Sequence, residues 1–161
     1  MYGYGEVSEM TLAAIRKLND SNIPCTILSK GILPVSLAQY SSSNTYGITL
    51  VSLDNEFRNK YEPGTATYHE RINSLRFLHN LGCQTWVSIE PYPTPNIVEQ
   101  ELSDVLDAVS FVDKIVFGRT NYSKAVTSYT DHKKYYHDMA VSVIQYCSER
   151  NIEYYIKKGT L

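Results

Sequence analysis

Four polar residues stand where apolar runs end. Lys30 follows Cys25-Thr26-Ile27-Leu28-Ser29, Ser52 follows Ile48-Thr49-Leu50-Val51, Glu90 follows Trp86-Val87-Ser88-Ile89, and Asn121 lies a few residues past Gly118. If these runs are parallel strands, their carboxyl ends form the edge where α/β proteins collect ligands. One mouth of a barrel would then hold a cation, a hydroxyl, an anion and an amide. A lysine ammonium suits a ligand carboxylate or phosphate, and a serine adds a hydrogen bond. The structural alternatives are a solvated lysine at a strand end and a Glu90 that caps a turn or pairs with a nearby cation. Glu62 and Glu90 also lie at or beyond the ends of successive strands, as an acid/base pair in a sugar hydrolase would. Loops of any α/β protein carry acids, so that pairing is a weak signal. The polar loop from Arg119 to Lys124 is the expected substrate-facing segment, with Arg119 and Asn121 as its contacts.

The elements that must position these residues alternate along the chain. Ser8 is a plausible N-cap for a helix to about Asp20, with Leu12, Ile15 and Leu18 on one face. A strand over Pro24–Ser29, a short helix over Pro34–Tyr40 and a strand over Gly47–Ser52, closed by Asp54-Asn55-Glu56, follow. Thr67 and Glu70 form a capping box, Ile72, Leu75 and Leu78 supply an apolar stripe, and Gly82 ends that helix. Cys83–Glu90 reads as a strand buried on both faces. Asn96 and Glu99 repeat the cap pattern before Val98, Leu102, Val105, Leu106 and Val109. Lys114–Gly118 is a fourth strand. A long helix carries Tyr136, Ala140, Val143, Ile144 and Cys147 on one face, and Ile152–Lys157 is a fifth strand. The order predicts an α/β fold: a parallel sheet of about five strands with alternating helices, an incomplete (β/α) TIM-like barrel in one domain over residues 1–161.

Composition narrows the classes. A chain of 161 residues can bury a real core, and 43% hydrophobic with 20% charged residues is ordinary for a globular domain. A net charge of −2 gives no electrostatic case for nucleic-acid backbone binding. The pairs Lys133-Lys134 and Lys157-Lys158 read as solvating a helix start and a strand end. Cys25, Cys83 and Cys147 are odd in number and far apart, so buried free thiols are expected rather than a disulfide or a metal site. No histidine spacing fits a metal motif. There is no Gly-rich phosphate loop and no Gly-x-Ser-x-Gly elbow. No window has transmembrane length, and Met1-Tyr2-Gly3-Tyr4 carries no signal-peptide pattern, so the default compartment is cytoplasmic.

The succession Ile27-Leu28-Ser29-Lys30, Gly47-Ile48-Thr49-Leu50-Val51-Ser52, Glu62-Pro63-Gly64-Thr65 with Arg71, and Val87-Ser88-Ile89-Glu90-Pro91 resembles the radical S-adenosylmethionine superfamily. Within it, the likeness is to the spore photoproduct lyase-related branch. Leu75, Leu78 and Gly82 match the branch's Leu-x-x-Leu-x-x-x-Gly run. The resemblance runs from about Glu6 to Phe117, carried by order and spacing more than by any one motif. It implies a lyase-like enzyme, with S-adenosylmethionine as cofactor and a six-stranded partial (β/α) barrel as core. By it, Lys30 and Ser52 fall on positions that contact the amino-acid end of the cofactor, and Glu90 falls on the adenosine side. Glu62 and Arg71 match recurrent positions without an assigned contact; Arg71 is expected to pair with a carboxylate across the helix–loop junction. Tyr4-Gly5-Glu6 would be the tail of a loop leaving the family's second strand.

One departure is large. The Cys-x-x-x-Cys-x-x-Cys motif that holds the family's 4Fe–4S cluster is absent. Cys25, Cys83 and Cys147 do not replace it. Two expectations follow: a cofactor- and substrate-binding part of a radical enzyme whose iron–sulfur segment lies elsewhere, inactive alone, or a truncated relative that has lost the chemistry. The competing class is a self-contained α/β domain that binds or hydrolyses a small ligand with Glu62 and Glu90. The missing strands would leave an exposed sheet edge, through which self-association is expected.

Overall fold

A computed structural model describes residues 5–161. Tyr4 of the expected loop tail lies outside the described residues. Five strands form one sheet in the order β1-β2-β3-β4-β5. They are β1 Thr26–Ser29, β2 Thr45–Thr49, β3 Gln84–Tyr92, β4 Lys114–Arg119 and β5 Glu153–Ile156. Helix α1 Gly5–Asp20 precedes them, and between them lie α2 Asn55–Tyr61, α3 Tyr68–Asn80, α4 Leu102–Ala108, α5 Lys124–Thr127 and α6 His132–Arg150, with a 3-10 turn at Val35–Gln39. The β1/β2 and β4/β5 pairs are parallel: Thr26 faces Thr45 and Ser29 faces Ile48 across the first, and Lys114 faces Glu153 across the second. Among the described residues, no helix is long and apolar enough to cross a membrane.

The chain divides into two compact units: residues 1–49 with 54–86, and residues 50–53 with 87–161. In the first unit, Leu75 and Leu78 of α3 are buried with Ile48 of β2 and Leu37 of the 3-10 turn. The capping box expected at Thr67 is present: the Thr67 hydroxyl accepts from Glu70 N–H, and the Glu70 carboxylate accepts from Thr67 N–H. Gly47 is required by packing. A Cβ there would meet the Trp86 indole at 2.4 Å, so the ring lies directly over the β2 backbone. In the second unit, Tyr136, Ala140, Val143 and Cys147 of α6 are buried, as the apolar stripe predicted.

Several boundaries differ from expectation. Gly5 and Glu6 are the first turn of α1, not a loop tail. The second strand covers Thr45–Thr49, so Ser52 lies three residues beyond it. Asp54 does not close that strand; its carboxylate caps α2 by accepting from the N–H groups of Glu56 and Phe57, a helix too short and polar for periodicity to reveal. The helix expected after Asn96 starts only at Leu102. Asn96 instead accepts from the Thr94 hydroxyl and donates to Ala125 O, so its amide is spent on a turn.

Candidate functional site

In the first unit, the end of β1 carries an ion cluster. Lys30 directly follows the strand, and its carbonyl accepts from Ala66 N–H at 3.1 Å, which ties it to the loop before α3. Its ammonium lies 2.8 Å from Glu62 Oε1, with the lysine side chain 41% exposed and the glutamate 3%. The other oxygen, Glu62 Oε2, accepts from Arg71 Nη2 at 2.7 Å. Arg71 is fully buried on the same α3 face as Leu75 and Leu78. A buried guanidinium is costly unless its fork is filled, and here it is. Nε donates to Ala66 O, Nη1 to Thr49 O, and Nη2 also to Thr65 Oγ1 at 2.6 Å. Thr65 Oγ1 in turn donates to Glu62 O. The Arg71 guanidinium sits 4.9 Å from the centre of the Tyr68 ring.

Two cations share one carboxylate, so the cluster carries a net charge of +1. Arg71, at 0% exposure, neutralises Glu62 from inside, and the surplus resides on the one member that reaches solvent, Lys30. An ammonium has three protons to donate, which leaves Lys30 the capacity to receive an anion beyond Glu62. The expected pairing of Arg71 across the helix–loop junction is present, with Glu62 as the partner. Sequence reasoning missed the bridge to Lys30. The only signal was a charged residue on an apolar helical face, at the spacing of Arg71 to Leu75 and Leu78.

Beside the cluster, Tyr68 is buried, and its hydroxyl has no hydrogen-bond partner among the described residues. Burial first, and then the Glu62 charge, push its ionisation well above the ordinary tyrosine range. The phenol is therefore a neutral donor at any physiological pH.

In the second unit, Glu90 of β3 pairs with Lys157, directly after β5, at 3.3 Å. Gly118 makes that possible: a Cβ there would fall 2.8 Å from the Glu90 carboxyl carbon and 2.9 Å from Lys157 Cγ. Pairing with a nearby cation is one of the structural roles expected for Glu90. Ser52 is fully buried in the turn after β2. Arg119 and Asn121 come together, with Arg119 Nε donating to Asn121 Oδ1 at 2.9 Å. Lys30 belongs to the first unit, and Ser52, Glu90, Arg119 and Asn121 to the second.

The cysteines do not suit an iron–sulfur cluster. Cys147 is fully buried, and burial pushes its thiol up to about 11. Burial also raises the thiol of Cys83. Cluster ligands need the opposite, a stabilised thiolate. Cys25 and Cys83 precede β1 and β3, away from the strands' carboxyl ends.

No protein-family model matches the chain, and no curated protein matches it. Solved structures do. SuiB of Streptococcus suis superposes with a TM-score of 0.61 at 17% identity, over 91% of this chain and 35% of SuiB. SuiB bound to S-adenosylmethionine gives 0.59 at 14% identity, over 87% of this chain and 33% of that one. Spore photoproduct lyase complexed with dinucleoside spore photoproduct gives 0.59 at 14% identity, over 89% of this chain and 54% of that one. The chain has the fold of these proteins. It spans about a third of the length of SuiB and just over half of the lyase. The α/β class expected from the sequence, a parallel sheet with alternating helices of the TIM-like kind, is the one they share.

Proposed function

We propose that this chain is the cofactor-binding part of a radical S-adenosylmethionine-type enzyme, with Lys30 receiving the carboxylate of the cofactor's amino-acid end. The observation that carries the proposal is the Lys30–Glu62–Arg71 cluster, whose net positive charge is presented by a half-exposed ammonium at a strand's carboxyl end. The fold likeness to a protein bound to S-adenosylmethionine, and to spore photoproduct lyase, supports the same reading. Ser52 and Glu90 are proposed as further contacts on the strength of the sequence resemblance, at the amino-acid and adenosine ends respectively. Arg119 and Asn121 are proposed to face the substrate.

Held by Lys30 with Ser52 and Glu90, S-adenosylmethionine would supply radical chemistry when a reduced 4Fe–4S cluster stands beside it. The residues of this chain hold and orient the cofactor but do not supply the cluster thiolates. On this reading, the 161 residues alone do not catalyse the reaction. The hydrolytic alternative loses its support at Glu62: both of its oxygens are held by cations and its side chain is 3% exposed, so neither is at hand to move a proton.

The test is calorimetric titration of S-adenosylmethionine into the protein and its Lys30→Met variant. Loss of one charged hydrogen bond should weaken binding about tenfold or more. Ser52→Ala should give a smaller loss in the same direction. An unchanged affinity in Lys30→Met would overturn the assignment.

A further inference from the structure

Glu62 has a role that simple electrostatics would not give it. An anion beside a carboxylate-binding lysine opposes the ligand, and Coulomb attraction alone would favour its removal. Yet Glu62 is held more firmly than any other member of the cluster except Arg71. Its side chain is 3% exposed, its Oε2 lies 2.7 Å from a fully buried guanidinium, and its carbonyl accepts from Thr65 Oγ1 at 2.7 Å. The guanidinium is itself fixed by Ala66 O, Thr49 O and Thr65 Oγ1. The chain of contacts runs one way, from buried core to exposed ammonium: Arg71 immobilises Glu62, and Glu62 Oε1 immobilises Lys30 Nζ at 2.8 Å. A free lysine carries four rotatable bonds and loses much of its rotamer freedom when it binds. A lysine already held has less to lose.

We propose that Glu62, clamped by Arg71, is a positioning residue that pre-organises the Lys30 ammonium for the ligand's α-carboxylate. The inference rests on the reading of Lys30 given above. Positioning and electrostatics differ in sign. Glu62→Gln raises the cluster's net charge from +1 to +2, so an electrostatic role predicts tighter binding, whereas a positioning role predicts weaker binding.

The readout is carboxylate selectivity, the ratio of affinities for S-adenosylmethionine and its decarboxylated analogue. A variant that merely damages the fold weakens both ligands together and leaves the ratio unmoved. Lys30→Met should bring the ratio close to one. Glu62→Gln should lower it severalfold, less than Lys30→Met does, because the ammonium remains and only its ordering is lost, and Glu62→Asp, which keeps the charge, should restore part of it. Arg71→Lys, which cannot fill the fork, should lower it too. If Lys30→Met leaves the ratio unchanged, or the unaltered protein shows no selectivity, the reading of Lys30 fails and this inference with it. If Lys30→Met abolishes selectivity while Glu62→Gln keeps or raises it, the positioning role alone is overturned.

Because Glu62→Gln strips a buried guanidinium of its partner and can unfold the chain, a second measurement uses the unaltered protein. With 15N-labelled lysine, the Lys30 ammonium should give an exchange-protected signal before any ligand is added. It should shift on saturation with S-adenosylmethionine and not with the decarboxylated analogue. An ammonium signal that becomes protected only when ligand binds would overturn pre-organisation.

Discussion

At the scale of residues, Glu62 is worth more to stability than its exposed partner suggests. Removing one member of a buried pair leaves the other charge uncompensated, at a cost of about 3–5 kcal/mol. Glu62→Gln faces that cost because Arg71 is 0% exposed. Lys30→Met should cost only about 0–1 kcal/mol, as for other solvent-facing pairs. Urea unfolding should therefore separate the two variants clearly, and equal midpoints would mean that the cluster is not the buried unit described. The same contrast explains what was legible in the sequence. Lys30 stood out by its position after an apolar run, and Arg71 by its match to a recurrent family position. Nothing in sequence marks which carboxylate a buried arginine will choose, because that depends on a loop, Glu62 to Ala66, whose path is set by hydrogen bonds to Arg71 itself. Glu90 was legible as a strand-end acid, but its partner Lys157 lies 67 positions later in sequence, and Gly118, which makes room for the pair, reads only as a strand end.

The buried thiol of Cys147 gives a pH signature. Burial raises it from 9.0 to about 11 in the folded chain, so the folded state holds that proton more tightly than the unfolded one. The stability this provides is complete below about pH 9 and is lost as pH rises toward 11. Tyr92, pushed up to about 12 by burial, extends the loss above pH 10. Stability measured by denaturant titration should therefore fall from about pH 9 upward. Cys147→Ala should lower the whole curve by a cavity cost yet flatten its first part. A variant curve parallel to the original through that window would rule the thiol out as the cause.

At the scale of elements, α3 is where local sequence and tertiary structure agree most closely. Its start was readable from Thr67 and Glu70 alone, because a capping box is a local device whose two hydrogen bonds satisfy adjacent backbone donors. The same helix carries Arg71 into the core, so fraying at its first turn should reach the ion cluster. Thr67→Ala is expected to destabilise the protein by about 1 kcal/mol. It should also raise the titration of Glu70 slightly: the Thr67 hydroxyl's hydrogen bond to the carboxylate is lost, while the Thr67 backbone hydrogen bond, the larger of the two that hold it low, remains. Carboxyl chemical shifts followed with pH would show this, and an unmoved Glu70 would contradict the hydroxyl–carboxylate contact. Where elements were misplaced, the local signal was real but spent differently. Asp54 is a cap, of α2 rather than the end of a strand, and Asn96 bonds a neighbouring segment instead of opening α4. Cap-forming side chains have several partners within reach, and tertiary packing decides among them.

At the scale of the molecule, the sheet order places β1 and β5 at its two edges. An edge strand offers unpaired backbone groups to any chain that can align with it, and natural edges are blunted by charge, bulges or cover. The two edges here differ in that protection. β5 reads Glu-Tyr-Tyr-Ile, and its Glu153 is paired with Lys114. β1 reads Thr-Ile-Leu-Ser with no charge in it, and Leu28 is 48% exposed. The self-association expected from the sequence should therefore proceed through β1. Sedimentation velocity over a concentration series should show a reversible increase in mass, and Leu28→Lys, which puts a charge on the unprotected edge, should suppress it. A charge added on β5 at Tyr155, also exposed, should have less effect. If the protein stays monomeric throughout, or if the β5 variant is the one that disperses it, the β1 edge is not the sticky surface.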